Sequence, residues 1–187
     1  MHANNLAFYG LTNVAVFQTL KSIFLPVSGK AITAPALATS YRISPLTEKR
    51  IRDVIRLNHR CFRNGENYTR HTFAYLFNEP NVISYQVATE NGEMAAFLFV
   101  ILNPDGTAHL TTIGVAPEHR RRGLAERLLL HLEKVLRDKG ISTIVLEVRL
   151  SNHAARQLYE KCGYVAVKTI PKYYSDGEDC ILMLRAI

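Results

Sequence analysis

Three stretches of this chain carry residue types that chemistry needs. The first is Ile113-Gly114-Val115-Ala116-Pro117-Glu118-His119-Arg120-Arg121-Arg122-Gly123-Leu124-Ala125. Here an apolar, strand-like run breaks at a proline, passes through a basic turn and opens straight into a leucine-rich helical pattern. Unpaired N–H groups at a helix start, backed by the positive end of the dipole, hold phosphate oxygens well. Arg120 to Ala125 fits R-x-x-G-x-A: Gly123 lets a phosphate approach the backbone, and Ala125 keeps the first turn open. A solvated basic helix start has the same composition. The segment has neither the dinucleotide G-x-G-x-x-G nor the Gly-Lys-Ser/Thr of a P-loop. What favours the cradle is the strand Ile113-Gly114-Val115 that feeds it, since a glycine inside a strand marks a bulge or a close backbone approach. An edge left open there could bind an amide-bearing arm by backbone hydrogen bonds. The second stretch holds Glu147, a single carboxylate in the apolar run Ile144 to Val148, where desolvation would raise its pKa. An ion pair with Arg149 at a strand end is the plain alternative. In the third, Asn152 and Tyr159 stand nearly two helical turns apart and so share a face. Packing beside Leu158 is the competing use of Tyr159.

The elements that must position these residues follow from periodicity. Ser40 to Ile43 reads as a short strand ended by Ser44-Pro45. Thr47 to Phe62 carries Ile51, Val54, Ile55, Asn58 and Cys61/Phe62 at helical spacing, and a second helix from about Thr69 to Phe77 ends before Pro80. Strands Val82 to Thr89 and Met94 to Leu102 flank Asn91-Gly92, a strong hairpin signal. Asn103-Pro104-Asp105-Gly106 turns the chain into Ala108 to Val115. Leu124, Ala125, Leu128, Leu129, Leu132, Val135 and Leu136 then repeat at a 3.6 period up to Asp138, with Gly140 as C-terminal cap. Ser142 to Arg149 reads as a buried strand, and strand–helix–strand succession predicts a parallel pair. Ser151-Asn152 caps a helix through Lys161, and strands Tyr164 to Thr169 and Cys180 to Leu184 bracket the loop Pro171 to Asp179.

Composition bounds the partners. The 187 residues are 48% apolar, enough for one domain with a sizeable core. With 23 basic and 16 acidic residues the net charge is +7 and the pI about 9.5, which favours anionic partners. The basic residues are dispersed after Arg42 without an aromatic platform, which speaks against a nucleic-acid-binding module. Cys61, Cys162 and Cys180 form no CxxC, and His59, His71, His109, His119, His131 and His153 lack metal-ligand spacing. These histidines are expected at the surface or in caps, no metal is expected, and a reduced cytoplasmic protein is the simplest reading. Residues 1–40 stand apart: no acidic residue precedes Glu48, and Lys21 and Lys30 are the only cations before Arg42. An accessory extension, a targeting leader and a start assigned too early all remain open. A leader lacks its positive n-region here, and no run reaches the roughly 18 apolar residues a bilayer needs.

Ile113-Gly114-Val115, Arg120 to Ala125, Leu146-Glu147-Val148-Arg149-Leu150-Ser151-Asn152 with Ala154-Ala155, and Leu158 to Tyr164 together resemble the acetyl-CoA core of the GNAT N-acetyltransferases. Four separated motifs fall in the family's order. More narrowly, Asn91 to Phe97, the Leu146 to Asn152 run, and Tyr173-Tyr174 before Asp176-Gly177-Glu178-Asp179 resemble its RimI-like group, ribosomal-protein-alanine N-acetyltransferases. The resemblance covers residues 41–187, leaving 1–40 outside the domain.

That resemblance implies a mixed α/β fold: a mostly antiparallel sheet of about six to seven strands with a splayed parallel pair in the middle and helices on both faces. It implies acetyl-CoA as donor, its pyrophosphate on the amides of Arg120, Arg121, Arg122, Gly123, Leu124 and Ala125. The pantetheine arm would lie along Ile113, Gly114 and Val115 and against Asn152. Glu147 would act as general base toward a primary amine, and Tyr159, beside the sulfur, as general acid. Tyr173, Tyr174 and the loop Arg63 to Tyr68 would flank the acceptor, expected to be a protein N-terminal α-amine. A small amine or a protein lysine is the alternative acceptor, and a monomer or weak dimer the expected state. An α-amine, titrating near 7.7–8.0 against about 10.4 for lysine, suits a modest base better. The chain departs from the RimI-like group at Cys61 to Asn67, where that group has an aromatic–proline patch.

Overall fold

A computed structural model describes residues 40–62 and 68–187. The expectations for residues 1–39 and for 63–67 lie outside the described residues. The described chain runs β1 (Tyr41–Pro45), a 3-10 turn at Glu48–Arg50, α1 (Ile51–Cys61), α2 (Arg70–Asn78), β2 (Val82–Thr89), β3 (Met94–Leu102) and β4 (Thr107–Val115). After a second 3-10 turn at Pro117–His119 come α3 (Leu124–Asp138), β5 (Thr143–Arg149), α4 (His153–Lys161), β6 (Val165–Ile170) and β7 (Cys180–Ala186). The seven strands form one sheet in the order β1-β2-β3-β4-β5-β7-β6, antiparallel except for the pair β4 and β5. Among the described residues no helix is long and apolar enough to cross a membrane.

Local chemistry sets most boundaries. Thr69 caps α2, its Oγ1 accepting the Thr72 N–H at 3.2 Å, and the helix stops before Pro80. At Asn91-Gly92 the chain turns with Gly92 at φ 79, and the Gly92 N–H donates to the Thr89 carbonyl at 3.0 Å. β1 runs on through Ser44 and Pro45, the two residues expected to end it after Ile43. It is an edge strand paired only with β2, so one side makes no demand on a proline N–H.

The core has two layers divided by the sheet. On one face Leu124, Leu128, Leu129, Leu132 and Leu136 of α3 pack against Leu98, Val100, Ile144 and Leu146. On the other, Ile51, Val54 and Leu57 of α1 and Phe73 and Leu76 of α2 cover Phe97 and Phe99. β3 lies under both layers, which is why its sequence is a continuous apolar run and not an alternating one. Each fully buried leucine contributes about 1.5–3 kcal/mol.

The feature that matters for function is how briefly β4 and β5 pair. Thr107, Ala108 and His109 match Thr143, Ile144 and Val145, and the pairing stops there. β5 stays with β7 along its whole length, Thr143 to Arg149, while β4 stays with β3. The β3–β4 register shifts between Phe99 and Val100, so that Thr111 is the extra residue of a bulge where the two parallel strands part. A wedge opens in the middle of the sheet.

Candidate active site

The wedge is the inner end of a cleft of about 790 Å³. Its walls include Ile113, Gly114, Val115, Arg120, Arg121, Gly123, Leu124, Ala125, Glu147, Asn152, Tyr159, Tyr173 and Tyr174, every site residue expected from sequence except Arg122. Arg122 turns toward β1, its Nη1 donating to the Tyr41 hydroxyl at 3.1 Å.

At one end lies the start of α3. The N–H groups of Leu124, Ala125 and Glu126 fall in the first turn, where an α-helix has no acceptor of its own, and no side chain caps them. The first intrahelical bond runs from Arg127 N–H to Gly123 O at 3.0 Å. Before this terminus the chain takes two left-handed residues, Arg121 at φ 60 and Gly123 at φ 72. Alternating hand turns successive amides inward as an anion nest, and a non-glycine residue held there stores about 1–3 kcal/mol of strain, a signature of working sites. A Cβ on Gly123 would meet no protein atom within 4 Å, so conformation rather than protein crowding requires the glycine. A helix start aimed into a cleft with its amides uncapped fits a pyrophosphate.

Along the wedge, β4 presents only alternate residues. Ala116 N–H donates to Ala95 O at 2.8 Å, toward β3, so the polar groups of Ile113 and Val115 point the other way, into the gap. The outer carbonyls are partly taken: Tyr68 Oη donates to Thr111 O at 3.3 Å, and Cys61 Sγ and Arg120 Nε donate to Val115 O at 3.3 and 3.2 Å. Gly114 serves packing. It sits opposite Phe97, and a Cβ there would lie 2.7 Å from Phe97 Cε1 and 3.1 Å from Cys61 Sγ.

Tyr159, Asn152, Glu147 and His109 all line this cleft. Tyr159 of α4 is 6% exposed, packs on Tyr164 at 5.6 Å between ring centroids, and has its phenol pushed well above the ordinary range by burial. Asn152 caps α4, its Oδ1 accepting the Ala155 N–H at 3.2 Å, which leaves its amide nitrogen to the cleft. Glu147 does not pair with Arg149. Its Oε2 lies 2.6 Å from His109 Nε2. Arg149 instead reaches Asp176 Oδ2 at 2.8 Å and Glu178 Oε2 at 2.7 Å and lies under the Tyr174 ring. Glu178 also accepts the Ser151 N–H at 2.8 Å, and these bonds hold its carboxyl down to about 2.

Histidine is where the sequence reading needs correction. His109 belongs to the cleft, and its one visible signal was a polar residue between the buried Ala108 and Leu110. His119 is 8% exposed, with Nδ1 3.1 Å from the Tyr41 hydroxyl, and His131 stacks edge-on against Tyr85. The three cysteines are all free thiols.

A sheet parted between two parallel strands, with an uncapped helix start at the outer end and ionisable side chains at the inner one, gives a cleft whose lining fits a phosphorylated, amide-bearing ligand. The GNAT acetyltransferase family model matches residues 51–164, and the chain belongs to that family. It is an acetyl-CoA-dependent N-acyltransferase. The [ribosomal protein bS18]-alanine N-acetyltransferase of Escherichia coli strain K12 is 43% identical over 102 residues, 53% of this chain and 68% of that protein. The crystal structure of the ribosomal-protein-S18-alanine N-acetyltransferase from Escherichia coli superposes with a TM-score of 0.72 at 34% identity, covering 79% of this chain and 94% of the other. An N-alpha-acetyltransferase of Saccharolobus solfataricus is 42% identical over 80 residues, 42% of this chain and 48% of that protein.

Proposed function

We propose that this enzyme moves the acetyl group of acetyl-CoA to the α-amine of a protein N-terminus by direct attack, with no covalent enzyme intermediate. The observation that carries the reading is the β4–β5 wedge, which opens Glu147 and Tyr159, rooted on opposite faces of the sheet, to one cleft. Amides from Arg121 to Ala125 would hold the pyrophosphate, with Arg120 and Arg121 adding charge. Ile113 and Val115 would pair with the amides of the donor's arm, Asn152 would donate to it from the far wall, and Leu124 would line its path.

Glu147 takes the proton that keeps the incoming ammonium from reacting. The freed amine forms the new C–N bond as the C–S bond breaks, Tyr159 donates first a hydrogen bond and then its proton to the sulfur, and the second proton lost by the nitrogen returns to the Tyr159 phenol by way of solvent. Burial pushes that phenol's pKa up, so Tyr159 meets the sulfur in its protonated form. Tyr173 and Tyr174, which line the same cleft as Glu147, would flank the incoming acceptor. Support for an N-terminal amine comes from the relatives' printed activities and from the match between an α-amine and a modest base. The catalytic unit is residues 41–187, with 1–40 outside it, and three free cysteines suit a cytoplasmic enzyme.

The test is acetyl transfer to a peptide beginning with Ala, the same peptide blocked at its N-terminus but carrying lysine, and a polyamine. Transfer to the free N-terminus should dominate; equal transfer to the blocked peptide overturns that substrate. Glu147→Gln and Tyr159→Phe should each lower kcat about 10²- to 10⁴-fold while coenzyme A still binds. Full activity in both sinks the roles assigned.

A further inference from the structure

We infer that His109 and Glu147 form one proton-accepting unit, in which Glu147 meets the amine and His109 carries its proton on to solvent. The inference rests on the reading of Glu147 as base. It starts from the 2.6 Å contact between His109 Nε2 and Glu147 Oε2, made across β4 and β5 where their pairing ends. His109 is level with Val145, and Glu147 is the next residue along β5 on the same face. His109 is 29% and Glu147 22% exposed, and both line the cleft. A purely structural ion pair has no need of a position that both side chains share on the wall of an open cleft.

Chemistry explains why the carboxylate gains from a partner. An isolated carboxylic acid at about 4.3 lies more than three units below an α-ammonium at 7.7–8.0, so the proton would return far faster than it leaves. An imidazole at about 6.5 narrows that gap by roughly two units. The proton goes from the ammonium nitrogen to Glu147 and from Oε2 to His109 Nε2, leaving a carboxylate beside an imidazolium. The nitrogen lone pair forms the C–N bond while the sulfur leaves with its electron pair and takes the proton of Tyr159. The nitrogen sheds its second proton through solvent as it becomes an amide, which restores the Tyr159 phenol; after product departs the imidazolium gives its proton to water, and the pair is restored.

The groups facing this pair do not compete for the proton. Tyr174 from the loop 171–179 and Cys180 from β7 both feel the charge of Glu147 and are both pushed up by burial. Arg149, on the same strand, is engaged by Asp176 and Glu178.

The experiment compares the full chain with His109→Gln, His109→Leu and Glu147→Gln, measuring kcat/KM for the Ala-peptide from about pH 5.5 to about 9.5 and coenzyme A affinity alongside. Glutamine keeps a hydrogen-bond donor for Glu147 but cannot hold a proton. His109→Gln should lower the rate at neutral pH about 10- to 100-fold and move the acid limb of the profile by about a unit or more, because the titrating unit has changed. His109→Leu should do at least as much, and coenzyme A should bind all three variants normally. A His109→Gln enzyme with its acid limb unmoved overturns the inference, whether its rate is kept or reduced, while a collapsed Glu147→Gln rate still upholds Glu147 as base. An active Glu147→Gln enzyme defeats the base reading itself. As a second readout, the imidazole of His109 followed by NMR should titrate differently in Glu147→Gln; an identical titration counts against a shared unit.

Discussion

Arg149 Cζ lies 3.8 Å from the centroid of the Tyr174 ring while its Nη1 bonds Asp176 and Glu178. One side chain on β5 therefore fastens the loop that bears Tyr173 and Tyr174. Glu178 extends the tie to the Ser151 N–H, immediately before the Asn152 cap of α4. The loop 171–179 and the start of α4 are thus held by one network.

Replacing Arg149 with alanine should thus loosen the acceptor side selectively. KM for the peptide should rise about tenfold, the loss of roughly 1.4 kcal/mol of positioning, with coenzyme A affinity little changed. Steady-state kinetics with each substrate varied in turn will show it. An equal loss for both substrates would mean that Arg149 simply supports the fold.

The same network sets a pH response. The Glu178 carboxyl sits near 2 in the folded chain against an ordinary value of 4.5. A depressed carboxyl contributes stability above its unfolded pKa and loses it as pH falls toward the folded one. The loop 171–179 should therefore loosen between about pH 4.5 and 2. Amide exchange of Tyr174 and Ser151 across that window reports it, and Glu178→Gln should abolish the response.

Two glycines should behave differently when changed to alanine. Gly114→Ala drives a methyl to within 2.7 Å of Phe97 and should destabilise the fold by about 1–3 kcal/mol, read in thermal melts. Gly123→Ala meets no protein atom but must hold φ 72, so its cost is about 1 kcal/mol and its larger effect is weaker coenzyme A binding.

The arginines of the turn should also separate. Arg122→Ala, directed at Tyr41, should leave coenzyme A affinity within about twofold, whereas Arg121→Ala, on the cleft wall, should weaken it several-fold and more so at low salt. Calorimetric titration at two ionic strengths distinguishes them.

Much of this protein is local in origin. The repeat of leucines from Leu124 to Leu136 determined α3, Asn91-Gly92 the first hairpin, and the proline, basic turn and Gly123 the uncapped helix start, because each depends on neighbours within a few residues. The lone carboxylate at 147 and the Asn152–Tyr159 spacing were legible for the same reason. What touches them was decided only by tertiary structure. His109 and Glu147 are 38 positions apart and meet because β4 and β5 run parallel for three residues before a bulge at Thr111 separates them. Arg149, an apparent partner for Glu147 two residues away, is claimed by a loop 27 to 29 positions distant. Gly114, which in sequence resembles a point of ligand approach, is glycine because Phe97 lies across it. Periodicity fixes which face a residue takes; strand order and register determine who waits on that face.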